Sequence, residues 1–170
     1  MSHVLSRWNL LPAHEAAKEI LPCCGSQAWA SGMASSRPVQ DAATLLATSD
    51  RIWRDLTTSD WLEAFHSHPR IGETRRPAES SARSQNWSEQ EQRYAAESDD
   101  SLKQALAEGN REYEQRFGWI FIICATGKSA NEILANLRRR LNNDDATELR
   151  EAAEQQRQIA EIRLRKWLAE

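Results

Sequence analysis

The sequence contains no long apolar run, and it does not start with a basic segment followed by an apolar one. A transmembrane helix needs about 20 consecutive apolar residues, and a secretory signal needs a basic start and an apolar core, so we expect neither. Only 3 of the 170 residues are cysteines, and two of these, Cys23 and Cys24, are adjacent. This usage provides no disulfide framework and favours a reducing compartment. The expected location is therefore the cytoplasm.

An excess of positive charge is also lacking. The formal net charge is −3, with 28% of the residues charged. We therefore do not expect a dedicated binder of nucleic acid or of anionic membranes. The basic run Arg138–Arg140 lies inside a helical pattern close to Asp144 and Asp145, and we interpret it as a solvated helix face. At this length the chain is expected to form one domain, residues 1–170.

Strand signals are nearly absent. Hydrophobic periodicity predicts an all-α, single-domain bundle of seven to eight helices. The one β-like run, Trp119–Thr126, has no second strand to pair with, so we predict an extended buried connector. Residues 1–11 are predicted to be a lead-in and residues 69–86 a long loop. The predicted helices cover residues 13–21, 26–33, 40–56, 59–68, a segment opening at 88, 100–117, 129–141 and 144–168.

Chemistry-bearing residues concentrate in the stretch from Phe65 to Glu73, which contains two histidines. Pro69 biases the residue before it away from helical backbone, so His68 is predicted to lie at or just beyond a helix end. Gly72 permits a turn with positive φ. A histidine in this position is suited to acid–base chemistry near neutral pH. The alternative is a surface helix terminus whose histidines help to satisfy helix carbonyl groups.

Two polar residues interrupt the apolar stripe of the last predicted helix. Gln156 and Arg163 occupy positions where the helical spacing places buried side chains. A buried arginine requires an anion, which is either a protein carboxylate in a structural ion pair or a carboxylate on a substrate. Both remain open from the sequence. The stripe comprises Leu149, Ala153, Gln156, Ala160, Arg163 and Trp167.

The segment Ser88-x-x-Glu91-Gln92 also has two interpretations. Ser-x-x-Glu is the pattern of a capping box at a helix N-terminus. A helix N-terminus can instead meet a polar ligand, and Glu91 and Gln92 then offer an acceptor and an amide to a urea-like group. His66 and His68 with Cys23 and Cys24 form a weak candidate zinc site, because spaced cysteine pairs are missing. No glycine-rich phosphate loop, metalloprotease helix or nucleophile elbow is present.

Taken together, the motifs resemble a known family. Phe65–Gly72 resembles the His-Pro-Arg-Ile-Gly signature of the 2-oxo-4-hydroxy-4-carboxy-5-ureidoimidazoline (OHCU) decarboxylases, and Ser88-x-x-Glu91-Gln92 resembles their second motif. A third and a fourth similarity follow at matching separations. They are Asn110-x-x-Tyr113-x-x-Arg116-Phe117-Gly118 with residues 121–128, and Ile162-Arg163-Leu164.

The resemblance implies a cofactor-free, metal-free enzyme that decarboxylates OHCU to (S)-allantoin during urate degradation, a step of purine metabolism. It further implies an all-α fold and a homodimer. By position, His68 is similar to the family's catalytic histidine. The residues implied to bind the small-molecule substrate are Pro69, Ser88, Glu91, Gln92, Phe121, Ile123, Cys124, Ala125 and Arg163. The competing hypothesis is a non-catalytic helical module that binds a partner through an exposed apolar surface.

Overall fold

A computed structural model describes residues 2–72, 81–93 and 99–170. Within these ranges the chain is all-helical, which confirms the predicted fold class. The predicted number of seven to eight helices is wrong, because the described ranges hold nine α-helices and one short 3-10 helix, Leu21–Cys23. The α-helices are α1 (His3–Leu10), α2 (Ala13–Ile20), α3 (Gln27–Ser35), α4 (Ala42–Asp55), α5 (Thr58–His66), α6 (Ala82–Glu91), α7 (Asp100–Phe117), α8 (Ala130–Arg140) and α9 (Asp145–Leu168).

The helices divide between two compact units. The terminal unit comprises Met1–Ala64 and Arg157–Glu170, and the central unit comprises Phe65–Gln156. The boundaries between them fall inside α5 and α9. Each unit has its own buried apolar residues.

In the terminal unit, the predicted lead-in is in fact helix α1. The buried side chain of Trp8 accounts for this helix. Its indole N–H donates to the carbonyl of Ala16 at 2.9 Å, and its ring packs edge-on against Trp167 at 5.7 Å between centroids. An eight-residue helix is marginal by itself. Its stability therefore comes from this packing, which local sequence signals do not reveal.

The predicted start of α3 is correct, whereas the predicted helix 40–56 starts two residues before α4. Ser26 caps α3 and Asp41 caps α4, each through its side-chain oxygen. The predicted cap of α5 is misplaced, since Thr57 and Asp60 bond reciprocally one turn apart and α5 begins at Thr58. The predicted loop 69–86 also ends too late, because Ser81 caps α6 through the N–H of Ser84 at 3.1 Å. Residues 73–80 of that loop lie outside the described ranges.

The central unit packs α7 and α8 around the connector that joins them. Helix α7 ends at Gly118, which adopts φ +82°, and α8 begins with the predicted capping box of Ser129 and Glu132. The connector is neither helix nor strand, and its centre, residues 121–125, is fully buried, as predicted. Its predicted ends are less buried: Trp119 and Ile120 are half-buried and Thr126 is exposed. The core contains Ile71, Leu106, Tyr113, Phe117, Phe121, Ile123, Ala125, Ala130, Ile133, Leu134 and Leu137.

A buried ion pair lies beside this core. Arg140 is 1% exposed and donates from Nε and Nη2 to one carboxylate oxygen of Glu148, which is 0% exposed, at 2.8 and 2.5 Å. Tyr113 and Asn143 also donate to this carboxylate. The interpretation of Arg138–Arg140 as a solvated face is therefore wrong for Arg140, while Arg138 and Arg139 are exposed. Helical spacing explains the difference, because Arg140 continues the buried positions of α8.

Replacing Arg140 with Met is expected to destabilise the protein by about 3–5 kcal/mol. Methionine fills much of the space but leaves the Glu148 carboxylate buried without its cation. For a chain of this size the melting temperature should fall by roughly 10 °C. Thermal and urea denaturation would measure the change.

The matched control is Arg138→Met, which removes an exposed arginine from the same run and should change stability by about 0.5 kcal/mol or less. The double variant Arg140→Met/Glu148→Leu should lose less stability than the two single losses added together, because it removes both buried charges. Equal stability of Arg140→Met and Arg138→Met would show that the buried pair does not stabilise the fold.

Candidate active site

His68 lies two residues beyond the end of α5, as the proline after it predicts. Its backbone N–H donates to the carbonyl of Phe65 at 3.2 Å, which completes the last turn. The residue is only 8% exposed, whereas His66 is exposed. The alternative interpretation, in which both histidines lie on the surface at a helix terminus, is therefore wrong for His68.

The imidazole of His68 contacts Gln156, 88 residues further along the chain. The distance from His68 Nε2 to the amide oxygen of Gln156 is 2.7 Å, and both residues are buried. Gln156 lies on α9 at one of the two polar positions in the apolar stripe. The stripe is buried at Ala153, Gln156, Ala160, Arg163 and Trp167, while Leu149 is only half-buried. The anomalous glutamine is thus a hydrogen-bond partner of the candidate catalytic histidine.

The backbone after His68 is attached to the central unit at three successive residues. Arg70 forms a two-point ion pair with Glu114, at 2.5 and 2.9 Å. The carbonyl of Ile71 accepts from the side-chain amide of Asn110 at 3.0 Å. The N–H of Gly72, where φ is +81°, donates to the side-chain oxygen of Gln92 at 3.3 Å. These contacts link the first motif to the second and to the third, and they fix the backbone that follows the imidazole.

Ser88 and Glu91 lie in the last turn of α6, and both are buried. The capping-box interpretation is wrong, because the helix begins at Ala82 and these residues are at its other end. For the same reason they do not present a helix N-terminus to a ligand. Being three residues apart, they share one face of the helix, and Gln92 follows directly as the C-terminal cap residue.

Both backbone polar groups of Cys124, in the connector, form hydrogen bonds with side chains. The N–H of Cys124 donates to the side-chain oxygen of Gln155 at 2.9 Å, and its carbonyl accepts from the Lys128 ammonium at 2.7 Å. Two residues earlier, the carbonyl of Ile122 accepts from Arg140 at 2.7 Å. The buried ion pair of the core therefore also fixes the segment that contains Phe121, Ile123, Cys124 and Ala125.

Arg163 belongs to the terminal unit, where it is 0% exposed. One of its guanidinium nitrogens donates to the carbonyl of Pro22 at 3.3 Å. Burial raises the pKa of the nearby Cys24 thiol to about 12, and a hydrogen bond from the Ser26 backbone and the positive charge of Arg163 oppose this shift. Cys24 is therefore a protonated thiol at neutral pH and a poor nucleophile.

Other site types find little support in the described part of the chain. Within it, no group of three or more histidine, cysteine or acidic side chains is arranged to hold a metal ion, so the weak zinc hypothesis gains nothing. No helix among residues 2–72, 81–93 and 99–170 is both long and apolar enough to cross a membrane.

Sequence reasoning missed two groups of supporting residues. Asn110 and Glu114 on α7 hold the backbone after His68, and Arg140 with Glu148 holds the connector. A usable signal existed for Arg140, which follows Ile133 and Leu137 at helical spacing, the same clue that singled out Gln156. Asn110 lies in the third motif, but the sequence did not indicate that it holds the backbone after His68, because its partner is a backbone carbonyl far away in the sequence.

Comparisons with known proteins agree on one family. A family model described as OHCU decarboxylase matches residues 9–165. The chain is 39% identical over 145 residues to the uric acid degradation bifunctional protein TTL of Arabidopsis thaliana, covering 85% of this chain and 44% of that protein. It is 30% identical over 134 residues to the 2-oxo-4-hydroxy-4-carboxy-5-ureidoimidazoline decarboxylase of Haloferax volcanii, covering 76% of this chain and 74% of that protein.

A solved structure adds agreement in three dimensions. The fold is similar to a crystal structure of OHCU decarboxylase in the presence of (S)-allantoin, with a TM-score of 0.76 and 35% identity, over 89% of this chain and 98% of that one. The chain thus spans less than half of the bifunctional plant protein but nearly all of the crystallised OHCU decarboxylase chain. On the family match and the identity to these relatives, the chain belongs to the OHCU decarboxylase family.

Proposed function

We propose that this protein decarboxylates OHCU to (S)-allantoin in urate degradation. The observation that carries the proposal is His68, a buried histidine at a helix end whose ring is hydrogen-bonded and whose following backbone is attached to two other family motifs. Such fixed placement is what proton transfer requires. Family membership supports the choice of substrate.

The reaction needs no external electron acceptor. When the bond between ring carbon 4 and its carboxylate breaks, CO₂ leaves, and the electron pair forms a double bond between carbons 4 and 5. The former C=N pair moves onto the ring nitrogen, which takes a proton. Loss of the 4-hydroxyl proton and protonation of carbon 5 then give the ketone and set the stereocentre. One proton replaces one CO₂ overall, so the protein has to orient the ring and move protons.

His68 is the proposed proton-transfer residue. It takes the proton from the 4-hydroxyl or delivers the one that sets the stereocentre, and both steps suit an imidazole near neutral pH. Pro69 keeps the ring beyond the helix end and contributes to the surface that contacts the substrate.

The remaining proposed contacts divide by chemistry. Ser88, Glu91 and Gln92 offer a hydroxyl, a carboxylate and an amide to the ureido arm and the ring N–H groups. The connector residues Phe121, Ile123, Cys124 and Ala125 line the substrate site with apolar side chains and backbone groups. Arg163 holds an anionic or carbonyl oxygen of the substrate with its planar donors.

The alternative, a helical module that binds a partner, predicts an exposed apolar surface. Among the described residues, Leu10 is the one large apolar side chain that is strongly exposed, at 86%. A single side chain does not make a docking surface. This observation and the family match favour the enzyme.

We extend the proposal to the whole protein in three respects. Residues 1–170 act as one OHCU decarboxylase-like domain, supported by a family match that runs through both units. The protein is cytoplasmic, supported by three buried cysteines that are not in disulfide bonds. It is a homodimer, supported by the family resemblance, and sedimentation equilibrium would measure this.

The variant His68→Asn should keep its fold and lose about 10²–10⁴-fold in kcat, the range that acid–base catalysis contributes. The rate of (S)-allantoin formation above the spontaneous rate measures this. His66→Asn, two residues earlier and exposed, is the control and should retain activity. Near-normal turnover by His68→Asn would eliminate His68 as the proton-transfer group.

The variant Arg163→Met should weaken binding of (S)-allantoin by roughly 10–100-fold, the value of about 1.5–3 kcal/mol for hydrogen bonds to a charged group. Lys at this position should restore little, because it lacks the planar fork. The control is Arg165→Met on the same helix, an exposed arginine paired with Glu161. Isothermal titration and thermal unfolding distinguish an arginine that binds the substrate from one that forms a structural ion pair. A strongly destabilised Arg163→Met with normal allantoin affinity would identify a structural ion pair.

Activity should survive dialysis against a chelator, because the substrate supplies its own electron sink. The measurement is the initial rate before and after chelation. Loss of activity that zinc restores would revive the site formed by His66, His68, Cys23 and Cys24.

A further inference from the structure

We propose that Gln156 is a positioning residue that fixes the protonation pattern of the His68 imidazole. The inference rests on the proposed function, in which His68 moves a proton. Its starting point is the distance of 2.7 Å between His68 Nε2 and the amide oxygen of Gln156, with both side chains buried.

The chemistry of the contact determines where the ring hydrogen lies. An amide oxygen accepts hydrogen bonds and cannot donate them, so the contact requires a hydrogen on Nε2. In neutral imidazole only one nitrogen carries hydrogen. Nδ1 is then the basic nitrogen, and a proton taken up by His68 is added there. Gln156 therefore selects which of the two nitrogens exchanges the proton during catalysis.

The position of Gln156 supports a dedicated role. Its neighbours on the buried stripe of α9 include Ala153 and Ala160, so an apolar residue there would need no hydrogen-bond partner. Burying an amide is unfavourable unless its polar atoms are bonded. In addition, a neutral amide accepts from both neutral and protonated imidazole, so the ring keeps its orientation in both states of a catalytic cycle. A carboxylate would favour the protonated ring instead.

The first measurement reads the hydrogen directly. In ¹⁵N NMR spectra of the full-length protein, the His68 signals are identified by their absence in His68→Asn, which separates them from the other three histidines. We expect neutral His68 to carry its hydrogen on Nε2, and that hydrogen to exchange slowly with water. In Gln156→Met the slow exchange should be lost. Gln158→Met, the same replacement two positions along α9, should leave the His68 signals unchanged.

The second measurement uses pH–rate profiles. Gln156→Met should lower kcat by about 10–100-fold, which is part of the acid–base contribution. It should also move to lower pH the limb of the pH–rate profile that reflects protonation of His68. Gln156→Glu should move the same limb to higher pH, by about one pH unit or more, since an ionised carboxylate beside the ring favours its protonated form. Opposite displacements cannot result from a general loosening of the fold, which both variants would share.

Several results would overturn the inference. They are a neutral His68 with its hydrogen on Nδ1, a His68 signal that is the same in wild type and Gln156→Met, or limbs that move in the same direction in both variants. None of these results bears on whether the protein decarboxylates OHCU. Conversely, wild-type protein that does not accelerate decarboxylation of OHCU would refute the proposed function while leaving the NMR result for Gln156 intact.

Discussion

The carboxylate of Glu148 is the constraint on which the central unit depends. It is fully buried and accepts hydrogen bonds from Tyr113, Arg140 and Asn143, which come from α7, α8 and the turn before α9. Burial raises the pKa of Tyr113, and its bond to Glu148 adds to this while the charge of Arg140 opposes it, so the phenol remains a donor. Arg140 also binds the Ile122 carbonyl. One buried charge thereby fixes three helical segments and the connector between α7 and α8.

A second set of contacts explains why the family motifs occur together. Arg70 and Gly72 of the first motif bond to Glu114 on α7 and to Gln92 of the second motif, and Asn110 of the third motif bonds to the carbonyl of Ile71. Residues of the second and third motifs therefore hold the first motif in place. The backbone that carries His68 is attached at successive residues, which is the preorganisation that proton transfer in a fixed geometry needs.

Local chemistry determined how much could be predicted from the sequence. The start of α8 and the end of α7 were correct, because the capping box at Ser129 and the positive φ of Gly118 depend only on nearby residues. Helix α1 was missed because it depends on the packing of Trp8, and the start of α6 because residues 82–86 show no apolar periodicity. Gln156 and Arg163 were singled out by burial spacing. The burial of Arg140 was not predicted, although it continues the spacing of buried positions on α8, because the run Arg138–Arg140 was interpreted as a solvated face.

The central claim is that this protein catalyses stereospecific decarboxylation. The most direct measurement follows the circular dichroism of freshly generated OHCU with and without the protein. The account predicts rapid appearance of the signal of (S)-allantoin, in proportion to the amount of protein added. Decay at the spontaneous rate, or formation of racemic allantoin in the presence of the folded protein, would contradict it.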